Sequence, residues 1–316
     1  MSCSPHTPVL PRRHDSARRL SSVLALALLA IPADAKDPSV LEVFTRTAGT
    51  HGTGGDAPPP KRARIDIAAL PPIVVEMNDV QAETKRTYRG VRLSTVLAKA
   101  NVKGGDRALL HFENGMVIPV SLDGDGKPTT DPLIALAYQI DSENFSTAFP
   151  TVAKRAEVTL DPRPLTFTWN KVVVETPALD SLKDPTGEAF TPWRYIDSLK
   201  RIEIVKGASY DAQFLTTRTD PRVVTGAKIY MQSCQYCHGV RDSGATYGWD
   251  FMLPFALHTH RKPKDLLNHV SVAKANALEK GLMMPTQKNL TQEEIEALWI
   301  WSFALAKDES LKPYTP

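Results

Sequence analysis

The sequence predicts two domains, a mostly β α+β domain followed by an all-α domain, and three observations carry that expectation. The chain has 316 residues, 42% of them hydrophobic and 23% charged, which suffices for about two cores without disulfide staples. From Ser39 to Val205, short β-branched and aromatic runs alternate with Gly, Pro and Asp clusters, the texture of strands and turns. Beyond Asp220 the apolar residues recur at helical spacing. The 38 basic and 35 acidic residues leave a formal charge of +3. That is too little for the broad cationic surface duplex nucleic acid requires, so nucleic acid is not an expected partner.

The first segment reads as an address. Arg12, Arg13, Arg18 and Arg19 precede an apolar run from Leu20 to Ile31, too short to span a bilayer, which ends in Ala33-Asp34-Ala35, an A-x-A cleavage pattern. Residues 1–35 are therefore expected to be a signal peptide, and the mature protein to be exported, periplasmic in a Gram-negative organism, with no membrane span of its own. Cleavage would remove Cys3 and leave Cys234 and Cys237, so no disulfide would join distant parts of the chain.

In the first domain, residues 36–211, strands are expected at Val40–Phe44, Ile73–Met77, Ala108–Phe112, Met116–Val120, Leu165–Val174 and Arg201–Val205. Gly52–Pro60, with its glycines and consecutive prolines, reads as a surface loop. Helices are expected at Leu93–Ala100 and, behind the Asp131-Pro132 start signal, at Leu133–Gln139. Lys206–Asp220 reads as a polar connector, with the domain boundary near residue 212. In the second domain, residues 212–316, Asp220 is the N-cap and Pro221 the first residue of a helix carrying Val223, Ala227 and Tyr230 on one face. A capping box, Thr291-Gln-Glu-Glu294, opens a last helix with Ile295, Leu298 and Trp301 on one face.

The chemistry concentrates in Cys234-Gln-Tyr-Cys237-His238, a C-x-x-C-H pattern of covalent haem attachment. Two cysteines spaced this way on a turn can reach both vinyl groups of one porphyrin, and the next residue sets an imidazole under the iron. His238 is then the proximal ligand, its second nitrogen oriented by an acceptor such as a backbone carbonyl. The other readings are a zinc site completed by His258 and His260, although no second cysteine pair exists, and a thioredoxin-type redox pair, which would be expected in a βαβ setting.

Around that motif stand Gly226-Ala-Lys-Ile-Tyr230, then Gly281-Leu-Met-Met284-Pro285, then Leu290-Thr-x-Glu-Glu-Ile295-x-Ala-Leu298 with Trp301. With these, the segment from about Asp220 to Asp308 resembles the class I c-type cytochromes. The resemblance implies one covalent haem c, Met284 as sixth ligand with Met283 as runner-up, and first and last helices crossing through Gly226 and Tyr230 near Leu298 and Trp301. Pro254 stands near where the family positions its proximal histidine. His258, His260 and His269 are the alternative sixth ligands. Tyr236, Tyr247, Trp249, Phe251, Phe255 and Trp301 are the expected porphyrin walls, although ordinary core burial would account for each.

In the first domain, Tyr88-Arg-Gly90-Val-Arg-Leu93, Phe112-Glu-Asn-Gly115-Met-Val-Ile118 and Pro192-Trp193 leading to Ile202-Glu-Ile204 are similar to the molybdopterin-binding domain of the sulfite oxidase family. That family holds molybdenum through a cysteine thiolate, and residues 36–233 contain no cysteine, a soft ligand that hydroxyl or carboxylate does not replace. Molybdopterin is therefore not expected, and His111, Asp123 and Asp125 are the polar residues to follow, the two aspartates most simply as a solvated loop.

These readings converge on an electron carrier rather than an enzyme, with no catalytic residues. The expectation is an exported monohaem cytochrome passing single electrons between a periplasmic redox partner and an acceptor, with an accessory docking or ligand-binding domain. The alternatives are a cofactor-dependent oxidoreductase whose haem domain drains electrons, and a haem sensor in which Met284 dissociates to admit a gas.

Overall fold

Alternating apolar residues in the first half build two sheets. The computed structural model describes residues 40–45, 60–79, 84–140, 144–147, 171–173, 198–270 and 290–308, all within one compact unit spanning 37–316. Residues 1–35, expected to be a signal peptide, Met283 and Met284, Pro192-Trp193 and nearly all of the Gly52–Pro60 loop lie outside the described residues.

The first sheet contains β1 (Val40–Thr45), β2 (Lys61–Asp66), β5 (Arg107–Phe112), β6 (Val117–Ser121) and β10 (Leu199–Val205), in the order β2-β1-β10-β5-β6. β1 and β10 pair in parallel, and the other neighbours are antiparallel. The second sheet runs β3 (Ile73–Asp79), β4 (Thr84–Arg92), β7 (Leu133–Gln139), β8 (Phe145–Ser146), with β9 (Lys171–Val173) also on β7. Because strand side chains alternate, Leu110, Phe112, Ile118, Ile202 and Ile204 face a core shared with Leu93, Val96 and Leu97 of helix α1 (Leu93–Lys99). Leu109, Val117 and Val205, on the opposite face, join the core of the helical half.

One expected helix is a strand. Leu133–Gln139 forms β7, paired with β4 on one side and with β8 and β9 on the other. Leu133, Ile134, Ala135 and Ala137 are fully buried, so pairing and two-sided burial override the helical propensity of Leu and Ala. The start signal is real but serves α1. The Asp131 carboxylate accepts hydrogen bonds from the Ser94 amide at 2.9 Å and the Ser94 hydroxyl at 2.7 Å, and the Pro132 carbonyl accepts from the Leu93 amide at 3.0 Å.

The connector is also more than a linker. Gly207–Ala212 forms helix α2, and Tyr210 and Phe214 are buried, their rings 5.2 Å apart edge to face. Two aromatics four residues apart suffice to fix a short helix on a core. Strands β2 and β4 were not expected from the sequence. The other strand expectations agree to within a residue or two wherever they are described.

The helical half follows the periodicity. Helix α3 (Pro221–Ile229) starts at Asp220, whose carboxylate accepts from the Arg222 amide at 2.9 Å. A π-helical turn, Tyr230–Cys234, continues it. A short helix α4 (Leu257–His260) and a helical stretch at 263–270 (α5) follow. Helix α6 (Gln292–Ala306) carries the reciprocal capping box of Thr291 and Glu294. Among the described residues no helix is long and apolar enough to cross a membrane.

Candidate functional site

The site hangs on the crossing of α3 and α6. A side chain at Gly226 would collide with the Ala297 carbonyl and the Trp301 side chain, so glycine is what lets the helices approach this closely. One turn on, Tyr230 stacks on Trp301 with centroids 4.8 Å apart. Trp301 donates its indole N–H to the Phe214 carbonyl at 2.7 Å, tying α2 into the same core. The expected crossing through Gly226, Tyr230, Leu298 and Trp301 is thus the observed one.

Tyr230 then reaches the motif. Its hydroxyl donates to the His238 carbonyl at 2.7 Å, while the amides of Cys237 and His238 donate to the Cys234 carbonyl at 3.1 and 2.9 Å. Cys234, Cys237 and His238 are therefore held on one tight turn at the end of the α3 helix. The His238 side chain is fixed separately, with Nδ1 2.7 Å from the Trp249 carbonyl oxygen. A carbonyl only accepts, so Nδ1 carries the proton and Nε2 keeps its lone pair free for a metal. The acceptor comes from Trp249 rather than from the neighbourhood of Pro254.

Burial lowers the His238 pKa, with the Trp249 hydrogen bond opposing it, which favours neutral imidazole. Gly248 packs against the ring face, where a Cβ would come within 2.5 Å of Cε1 and 2.9 Å of Nε2. Both thiols are free. Burial pushes each up to about 12, the neighbouring Cys237 adding to the effect at Cys234. Neutral buried thiols are poor redox nucleophiles, which weighs against the thioredoxin reading. His258 Nδ1 sits 3.1 Å from the Ser302 hydroxyl, and the His260 ring packs against Phe255. Among the described residues no group of three or more His, Cys, Asp or Glu could hold a metal ion.

This donor set fits an iron porphyrin. It offers one neutral imidazole with a bare nitrogen, a ring face cleared by glycine, and two uncharged thiols on the same turn. Of the expected walls, Phe251 lies 5.0 Å from His238 and packs on Tyr230 and Trp301. Tyr236 and Tyr247 pack against the sheet core, whereas Trp249 and Phe255 are 77% and 61% exposed. His269 is the alternative ligand whose charge bears on His238.

Sequence reasoning missed the loop that carries the acceptor. Asp250 accepts from the amides of Arg241, Met252 and Leu253 through one oxygen, and from the Asp242 amide through the other at 2.8 Å. An aspartate whose carboxylate takes the amide two residues on is a common turn device, and Asp250-Phe-Met252 was its only visible trace. Half-buried His111 and buried Glu203, on the sheet face toward the helices, line a cleft of about 310 Å³ with Arg201, Tyr210, Gly115 and Ser243. Asp123 and Asp125 belong to an ordinary exposed turn, with Asp123 accepting from the amides of Asp125 and Lys127.

Residues 221–301 match the family described as cytochrome c oxidase, cbb3-type, subunit III. No curated protein matches the chain. The helical half of this chain thus carries a cytochrome c domain, which implies haem c and suggests electron transfer.

Proposed function

We propose that this protein is an exported, periplasmic electron carrier with one haem c, bound through thioethers to Cys234 and Cys237 and ligated by His238 and Met284. The β-rich half serves as an accessory module, similar in fold to the sulfite oxidase family's molybdopterin domain, for docking a redox partner or a ligand. The observation that carries this reading is the His238 hydrogen bond to the Trp249 carbonyl, which presents a bare Nε2 beside two free thiols on one turn. Bound there, the haem would supply reversible one-electron chemistry at the iron. The chain's own work is to hold the imidazole in one tautomer, to pack Phe251 beside it with Tyr230 and Trp301 bracing that ring from behind, and to shield the attachment turn with the sheet.

The test is a denaturing haem stain with optical spectra of protein matured in an exporting host. Retained stain, one iron and no molybdenum per chain, and a weak near-infrared sulfur-to-iron band in the ferric form are expected. Met284→Ala should abolish that band and let the reduced protein bind carbon monoxide without a lag. Persistence of the wild-type spectrum in Met284→Ala, with its loss in His269→Ala, would replace the methionine by His269. Unmodified cysteines would overturn the proposal, as would stoichiometric molybdenum.

A further inference from the structure

The turn between β5 and β6 touches both halves of the haem-binding apparatus. On one side the Val117 amide donates to the Tyr236 carbonyl at 3.1 Å, inside the C-x-x-C-H motif. On the other, the Gly115 carbonyl accepts from the Thr246 amide at 2.8 Å, at the start of the loop that leads to Trp249. Cys237 is buried in the sheet core itself, with Met116 and Phe112 among that core's residues. The loop is then tied back to the motif, because the Gly248 amide donates to the Cys237 carbonyl at 2.6 Å and the Trp249 carbonyl accepts from His238 Nδ1 at 2.7 Å. The imidazole and its acceptor are therefore registered against each other through one turn of the other half of the chain.

Gly115 is the tightest point of this contact. Its φ is +88°, and a Cβ would lie 2.5 Å from the Thr246 hydroxyl and 3.0 Å from the Tyr247 amide nitrogen. Asn114 braces the same turn, its side-chain oxygen accepting from the Met116 amide at 3.1 Å.

We propose that the β5–β6 turn is a positioning element for the haem ligand: by fixing the Thr246–Trp249 loop against the motif, Gly115 sets the His238–Trp249 hydrogen bond and hence the reduction potential. The inference rests on the haem reading above. A shorter Nδ1–H···O contact makes the imidazole more electron-rich and favours ferric iron, so loosening it raises the potential. The sheet-bearing half is then a working part of the redox centre, beyond any docking role.

The experiment compares holoprotein carrying Gly115→Ala with Gly104→Ala. Gly104 has φ +81°, but a Cβ placed there would meet nothing within 4 Å, so it reproduces the backbone strain without the collision. Haem staining of wild type is read first, and its absence would overturn the function and this inference together. With haem present, Gly115→Ala is expected to raise the midpoint potential and shift the ferric electron paramagnetic resonance spectrum, while Gly104→Ala lowers stability and leaves both at wild-type values. Asn114→Ala, which loosens the turn without a collision, should move the potential in the same direction by less, and it decides the matter if Gly115→Ala does not fold. Wild-type potential and spectrum in the folded turn variants would overturn the inference alone.

Discussion

Asp250 shows how much of the site rests on one carboxylate. Its oxygens accept from the amides of Arg241, Asp242, Met252 and Leu253, and Arg241 and Asp242 both sit at left-handed φ, 54° and 62°. Non-glycine residues adopt that region at a cost, so the turn persists because the carboxylate satisfies its amides. Asp250→Ala should destabilise the folded protein by about 1–3 kcal/mol, the range for stranded donors, and Asp250→Asn, which keeps one acceptor oxygen, by less. Urea denaturation checks both, and equal losses would show that the oxygen retained in Asn contributes nothing. At this scale the sequence was legible where a motif fixes residue type: Cys234, Cys237 and His238 stand in the C-x-x-C-H pattern, and the structure holds them on one turn. The acceptor for His238 was not legible, since any residue can offer a carbonyl and only the fold decides that Trp249 does.

Helix α1 has no cap of its own: Arg92 precedes it and makes no side-chain bond to the first turn. Its open amides are met instead by Asp131 and Pro132, and the Arg92 guanidinium donates to the Asp131 carbonyl at 2.9 Å. Asp131→Ala should therefore cost about 1 kcal/mol, as for a lost N-cap. Combined with Ser94→Ala it should be clearly non-additive, because the two share one bond; additive losses in thermal unfolding would refute the cap across elements. The same residues show why the elements were unevenly legible. Asp-Pro before an apolar run is a sound helix signal, but a sequence cannot say which helix it caps. The strand β2 was invisible for a different reason. It is an edge strand of sequence KRARID with only Ile65 fully buried, and such edges carry charge in place of an apolar pattern. By contrast α3 and α6 declared their caps and faces locally, and the structure keeps them.

Across the whole molecule, the first sheet is covered on both faces, and the charged groups caught between its second face and the helical half give that junction a pH dependence. His111 and Arg201 are register partners on β5 and β10, and Glu203, on the same face, is 3% exposed. His111 Nε2 lies 3.2 Å from a Glu203 carboxylate oxygen, near enough to attract but not aligned as a hydrogen bond from that nitrogen. Glu113 and Lys200 stand at the edge of the cleft, Asp242 enters from the loop, and Tyr210 from α2. Burial is the largest influence on His111 and lowers its pKa below the ordinary 6.5; Arg201 and Lys200 act in the same direction, and Glu203 opposes them. Since the unfolded chain then binds the proton more readily than the folded one, His111 contributes stability above its unfolded pKa, and this is lost as pH falls from about 6.5 toward the depressed folded value. His111→Gln removes the titration while keeping a polar side chain of similar reach. Urea denaturation of the holoprotein at about pH 7.5 and about pH 5 should show wild type losing more stability over that interval than the variant. The difference should persist in high salt, because a buried site is weakly screened. Parallel losses in the two proteins would mean that the imidazole is as easily protonated between the sheet and the helices as in water.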